Sequence, residues 1–149
     1  IPFRGVSAYL TGVLSTVFTY KLPHFTIEID EERTIETEAF AVLVTSTGQV
    51  GYNIEFTKNS ILNDGKFEIT IIKNFDRTKV PSLVYEAFFG DIASQEILET
   101  HQVNKILKIR ANTIESIQMD GDYKGKTNYI EVLCKKQALN FLVDKDFDI

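Results

Sequence analysis

Apolar positions recur at two different periods along this chain, and the change of period marks out its elements. Val6, Leu10, Val13, Leu14, Val17 and Phe18 stand three and four apart, which stacks them on one face of a helix from about Arg4 to Tyr20. After Leu22 and Pro23 the period becomes two: Phe25, Ile27 and Ile29 alternate with Thr26, Glu28 and Asp30, as a half-exposed strand requires. Asp30 to Arg33 reads as a turn. The run from Ala39 to Val44 has no polar alternation, which predicts a central strand covered on both faces and closed by turn residues from Thr45 to Gly48. Between Gly48 and Gly65 the sequence is polar, a long loop of the kind that carries function.

Phe67 to Ile72 resumes the β pattern, and Pro81 then opens an aromatic helix containing Tyr85, Phe88 and Phe89 that Gly90 stops. Strand patterns follow at Asn104 to Ala111, Ile114 to Met119 and Tyr129 to Leu133, with a last apolar patch at Ala138 to Val143. Many short strands with one or two helices predict a mainly β fold, an antiparallel two-layer sandwich or a barrel.

Length and charge narrow the function classes. A chain of 149 residues with 44% apolar side chains can bury one core but not two, so one domain spanning 1–149 is expected. The net charge of -5, with both signs interspersed, provides no basic field for nucleic acid or for a purely electrostatic membrane contact. The single cysteine cannot staple the fold, and neither a secretory leader nor a bilayer-length apolar run is present, which fits the cytoplasm. The sequence opens at Ile1 and enters a helical pattern at once, which reads as an excised or truncated segment, with a processed N-terminus as the alternative.

Two clusters carry candidate chemistry. In Ile61-Leu62-Asn63-Asp64-Gly65-Lys66-Phe67 an acidic side chain and a glycine lie between a polar loop and a strand; this is tight-turn sequence, or else Asp64 and neighbouring carbonyls offer oxygen ligands to a hard divalent cation. In Met119-Asp120-Gly121-Asp122 two carboxylates flank a glycine at a sharp bend, which is either a hairpin turn or a pair poised as a base or a holder of hydrated metal. His24 and His101 lack neighbours at zinc-ligand spacing, Cys134 reads as a buried thiol, and no phosphate-binding glycine loop is present. The aromatic helix reads as core, with an acyl-chain wall as the functional alternative.

Taken in order, the helix with Gly5-Val-Ser-Ala-Tyr-Leu10, the strand with its acid-rich turn, the apolar strand Ala39 to Val44, Gly51, the Asn63-Asp64-Gly65 loop with Phe67-Glu-Ile, Asp120-Gly121-Asp122 and the late Lys136-Gln-Ala-Leu139 resemble the C-terminal half of bacterial lipid kinases of the diacylglycerol and sphingosine kinase family. The resemblance covers about Arg4 to Val143. It implies a β-sandwich domain that supplies the lipid cleft, a structural Mg²⁺ and a catalytic carboxylate, beside an N-terminal kinase domain, absent from this chain, that binds ATP. By position it assigns the metal loop to the carbonyls of Ile61 and Lys66 and the carboxylate of Asp64. It assigns the family's Asp-Gly-Glu to Asp120, Gly121 and Asp122, which contact the nucleotide side, with Asp120 and Asp122 catalytic and the third residue a general base or an organiser of nucleotide magnesium. Asp122 is one methylene shorter than the usual glutamate. The implied partners are a lipid substrate and the missing domain; apolar surface left open where that domain would dock predicts self-association, as in a homodimer, and a peripheral membrane contact is a further option. The rival reading is a stand-alone sandwich module for an apolar ligand.

Overall fold

A computed structural model of the chain describes residues 17–48, 54–57, 60–61, 64–136 and 138. Six strands, β1 (His24–Ile29), β2 (Arg33–Thr45), β3 (Phe67–Lys73), β4 (Leu98–Val103), β5 (Ile106–Met119) and β6 (Asp122–Leu133), form one antiparallel sheet in the order β4-β3-β2-β1-β5-β6. The long strand β2 folds this sheet over on itself. Its first half pairs with β1, from Ile29↔Arg33 to His24↔Glu38, and its second half pairs with β3, from Ala39↔Lys73 to Thr45↔Glu68. The register shifts between Ala39 and Ala41, where one ladder gives way to the other. A bulge at such a point bends the strand and turns a sheet into two layers.

The inner faces of the two layers make the core. Phe25, Ile27 and Ile29 of β1 and Leu107, Ile109 and Ala111 of β5 lie opposite Phe67, Ile69 and Ile71 of β3 and Val103 of β4 in one buried cluster. The period-two reading of β1 and the mainly β, sandwich-like class are therefore correct.

Other expectations are corrected. Leu98–Val103 is a strand the pattern did not announce, because Leu-Glu-Thr-His-Gln-Val places four polar side chains in a row on an edge where water tolerates them. Ile106–Met119 is one continuous strand instead of two; Asn112 and Thr113, which read as a break, lie where its pairing with β6 is interrupted between Arg110 and Glu115. β6 begins at Asp122, seven positions before the expected Tyr129. β2 is central, but past the buried Ala39 the stretch from Phe40 to Leu43 is half-buried, and Val44 is 37% exposed. The N-terminal helix falls outside the described residues apart from a helical turn at 17–19, as does the C-terminal apolar patch apart from the exposed Ala138.

The expected helix forms as α1 (Val80–Phe89), with Pro81 in its first turn. Its aromatic residues are not core. Val80 is its one buried residue, while Tyr85 and Phe89 are 60% and 80% exposed. Tyr85 packs on Phe89 at 5.6 Å between ring centroids, and the face the two rings make stays open to solvent.

The turn joining β1 to β2 carries a structural clasp. Asp30 and Glu31 both have positive φ, and the Asp30 carboxylate accepts hydrogen bonds from the backbone amides of Asn104 (2.9 Å), Lys105 (2.7 Å) and Ile106 (3.1 Å) and from the Asn104 side chain (2.9 Å). Burial pushes this carboxyl up, but the donors of Asn104, Lys105 and Ile106 outweigh it and hold it at about 2, against an ordinary 3.8. A depressed folded value contributes stability that is full above 3.8 and is lost as pH falls through about 2. Solvent screening of this accessible group leaves about 1 kcal/mol of that contribution. Asp30→Ala is expected to lower the urea midpoint at pH 7, and the gap to the parent should narrow between pH 4 and pH 2; a constant gap would rule out the carboxylate as its source.

Candidate functional site

The β5–β6 hairpin separates into a body and a projecting ribbon. β1 pairs with β5 as far as Phe25↔Ala111. Beyond Ala111 the two strands leave the sheet, and pairing with β6 resumes at Glu115↔Thr127 and runs to Met119↔Asp122. The connecting residues are Asp120 (φ 51°) and Gly121 (φ 86°), and positive φ at both central residues is the two-residue hairpin turn whose twist matches that of the strands. So the Asp-Gly-Asp cluster is a hairpin turn, and it presents both carboxylates to solvent. The Asp122 side chain is 78% exposed, with the Lys124 ammonium 3.2 Å from its Oδ2. Tyr123 pairs with Gln118 and Gly125 with Ile117, so Lys124 is the extra residue of a bulge that Gly125, at φ 111°, permits.

At the foot of the ribbon a polar clasp holds it to the body. The His24 amide donates to Asn112 Oδ1 at 3.0 Å, and the Tyr20 hydroxyl donates to Glu115 Oε2 at 2.7 Å. Thr113 occupies the other Glu115 oxygen at 2.6 Å. Burial, then the Glu115 hydrogen bond and charge, push the Tyr20 phenol well above its ordinary value. Tyr20 is itself seated by Arg77, whose guanidinium donates to the carbonyls of Phe18 (2.6 Å) and Tyr20 (2.9 Å) and stands 5.8 Å over the Phe40 ring. Phe40 stacks on Phe75 at 4.7 Å. None of these contacts was legible in the sequence: Tyr20 and Glu115 are 95 positions apart, and a glutamate in an alternating strand is ordinary.

The second cluster lies at the other end of β6. Asp64 Oδ1 accepts the Lys66 amide at 2.9 Å, and Gly65 has φ 69°, so this segment too is a turn. Gly65 has a second reason to be glycine, since a Cβ there would sit 2.7 Å from the Lys136 side chain. The Cys134 thiol donates to the Gly65 carbonyl at 2.9 Å, Lys66 Nζ reaches Gln102 Oε1 at 3.3 Å, and the Ile61 side chain is exposed. Cys134, expected to be a buried thiol, is half-buried against the core.

Among the described residues no three His, Cys, Asp or Glu side chains gather as a metal cluster, so a cation here would rest on one carboxylate and backbone carbonyls, a donor set that suits a hard ion. His24 pairs with Glu36 at 2.7 Å, and His101 stands between Glu99 (2.8 Å) and Arg33 (3.1 Å). Asp122 opens β6 and Cys134 follows its end, a contour of about 40 Å at the usual strand rise. The Asp64 turn and the Asp120–Asp122 turn therefore do not share one coordination sphere.

Beside the Asp64 turn an open cleft of about 410 Å³ is lined by Phe56, Thr57, Glu68, Thr100 and Gln102 among others. Its floor is polar: Ser60 donates to the buried Glu68 carboxylate at 2.6 Å, and the hydroxyls of Thr57, Thr70 and Thr100 form a chain with 3.2 Å steps. The β pattern of Phe67 to Ile72 hid Glu68 and Thr70, since a strand with one covered face does not reveal a loop lying on the other.

The sequence and the fold both have matches among known proteins. The sequence fits the YegS C-terminal NAD kinase beta sandwich-like domain over residues 2–143. The chain belongs to that family. In three dimensions the domain is similar to a diacylglycerol kinase from Bacillus anthracis str. Sterne, with a TM-score of 0.61 and 20% identity over 89% of this chain and 47% of that one. Two further structures assigned as diacylglycerol kinases of that organism give TM-scores of 0.61 and 0.59 at 18% and 21% identity, covering 83% and 79% of this chain and 42% and 40% of theirs. At such identities the likeness is one of fold, and the domain spans less than half the length of these proteins. No curated protein matches the sequence.

Proposed function

We propose that this domain is the substrate side of an ATP-dependent lipid kinase, which transfers the γ-phosphoryl group in line onto a lipid hydroxyl such as that of diacylglycerol. The observation that carries the reading is the exposed Asp120-Gly121-Asp122 turn at the tip of a ribbon that leaves the sheet, within a fold whose family match runs nearly end to end. A carboxylate at a projecting tip is accessible to a nucleotide held by another domain, and the structurally similar diacylglycerol kinases are nearly twice as long as this chain. In this reading Asp122 accepts the proton of the attacking hydroxyl while Asp120 and Gly121 line the nucleotide side, and positioning supplies most of the rate. The carbonyls of Ile61 and Lys66 and the carboxylate of Asp64 would hold a structural Mg²⁺, which neutralises charge in that turn. An N-terminal domain would hold ATP, the setting would be the cytoplasm, and the exposed aromatic face of α1 would meet acyl chains at a membrane surface or a second copy of the domain.

The exposed Tyr85, Phe88 and Phe89 also favour a second reading, a non-catalytic module for an apolar ligand. One assay separates the two. The full-length gene product, given ATP, Mg²⁺ and a panel of diacylglycerols and sphingoid bases, is expected to phosphorylate at least one lipid, to lose activity as Asp122→Ala and to be weakened as Asp64→Ala. Absence of phosphorylation with all three proteins folded would put the binding module first.

A further inference from the structure

Among the described residues, the ribbon that carries Asp120 and Asp122 has no sheet neighbour other than its own two strands. Past Ala111, β1 no longer pairs with β5, and between Arg110 and Glu115 the ladder between β5 and β6 is itself interrupted. A two-stranded ribbon without a third strand is marginally stable and free to bend at such a gap. The contacts at its foot are placed to set its direction. Among the described residues, the hydrogen bonds that tie this stretch to the body are His24 amide to Asn112 Oδ1 and Tyr20 hydroxyl to Glu115 Oε2. The first acts inside the gap. The second grips Glu115, where pairing with β6 resumes, so it sets the angle of everything beyond.

We infer that Tyr20 and Glu115 are positioning residues for the Asp120–Asp122 tip: their hydrogen bond fixes the angle at which the ribbon leaves the sandwich and hence where the Asp122 carboxylate stands. The inference rests on the reading of Asp122 as the proton acceptor. Three features fit a latch. Both Glu115 oxygens are engaged, by Tyr20 and by Thr113, so the carboxylate has one orientation. Tyr20 is anchored from behind through the two Arg77 hydrogen bonds to its own and the Phe18 carbonyl. Arg77 in turn stacks over Phe40 on β2, so the latch is referred to the central sheet and not to a loose loop. Because the ribbon is a lever, a small rotation at Glu115 is magnified at Asp122, and a misplacement of about an ångström at a reacting group costs on the order of a hundredfold in rate.

The test uses the full-length gene product and follows lipid phosphorylation together with amide hydrogen exchange. Tyr20→Phe and Glu115→Ala are expected to lower kcat on the order of tenfold while leaving KM for ATP within about twofold. Exchange should quicken at 115–127 and stay unchanged in β1 and β3. The double variant should be no worse than either single one, as a shared bond requires. Glu115→Gln, which keeps an acceptor oxygen, should recover most of what Glu115→Ala loses; a merely structural role would move melting temperature without this ordering in kcat. If Tyr20→Phe fails to fold, the Glu115→Ala and Glu115→Gln pair decides alone. Full activity in Tyr20→Phe and Glu115→Ala, with Asp122→Asn inactive, would overturn the positioning role and leave the catalytic reading standing. Full activity in Asp122→Asn would sink the catalytic reading and the positioning role with it.

Discussion

Asp122→Ala is expected to lower lipid phosphorylation by about two to four orders of magnitude with folding unchanged. The range is what a positioned general base contributes. The fold should survive because the side chain is 78% exposed and its partner is the Lys124 ammonium at the surface, a pair worth little to stability. Asp122→Glu is the more discriminating variant. Glutamate is usual at this place in the kinases the sequence resembles, and the extra methylene moves the carboxylate by more than an ångström. In this chain the tip is set by positive φ at Asp120 and Gly121 and by a bulge that extrudes Lys124, so the backbone holds residue 122 in one place and a longer side chain carries its carboxylate beyond that of Asp122. Asp122→Glu is therefore expected to lose on the order of ten- to a hundredfold in kcat. A gain in activity instead would identify Asp122 as the weakened form of the site.

Ile27→Ala is expected to be the most damaging single truncation in the sandwich, at about 3–4 kcal/mol. Ile27 is fully buried on β1, the strand between β2 and β5, and its cross-strand partners are Ile35 and Ile109. It faces the other layer across the core, so the cavity has rigid walls on every side and collapses poorly. Ile27→Val should cost about 1 kcal/mol by the same argument. Ile114→Ala, equal in chemistry but 69% exposed, should stay within about 0.5 kcal/mol. Denaturant midpoints with an unchanged slope would measure all three. An Ile27→Ala cost no greater than that of Ile114→Ala would mean that the two layers do not close on β1.

The strands that announced themselves were those whose neighbours impose a simple pattern. β1 reads as a strand because one face meets the core and the other meets water, so its side chains alternate. β4 did not, because an edge strand has less to bury and Glu99, Thr100, His101 and Gln102 fit there at no cost. α1 was legible as a helix from Pro81 and Gly90, yet its aromatic content misled about burial, since a helix alone does not specify what packs on it.

The candidate site divides along the same line. That Asp64-Gly65 and Asp120-Gly121 are turns follows from the sequence, because glycine beside an Asx residue is local chemistry and requires no partner. That the first turn abuts Cys134 and Lys136 while the second rides at the far end of the same strand is a matter of register, which a sequence does not carry. The clasps of Asp30 on residues 104–106 and of Tyr20 on Glu115 join positions 74 or more apart. Local pattern, turn chemistry and the order of motifs were determined by the sequence alone. Tertiary structure decided which turn faces which strand, which aromatic residues stay wet and which hydrogen bonds aim the ribbon, because each depends on groups brought together only when the sheet folds over at β2.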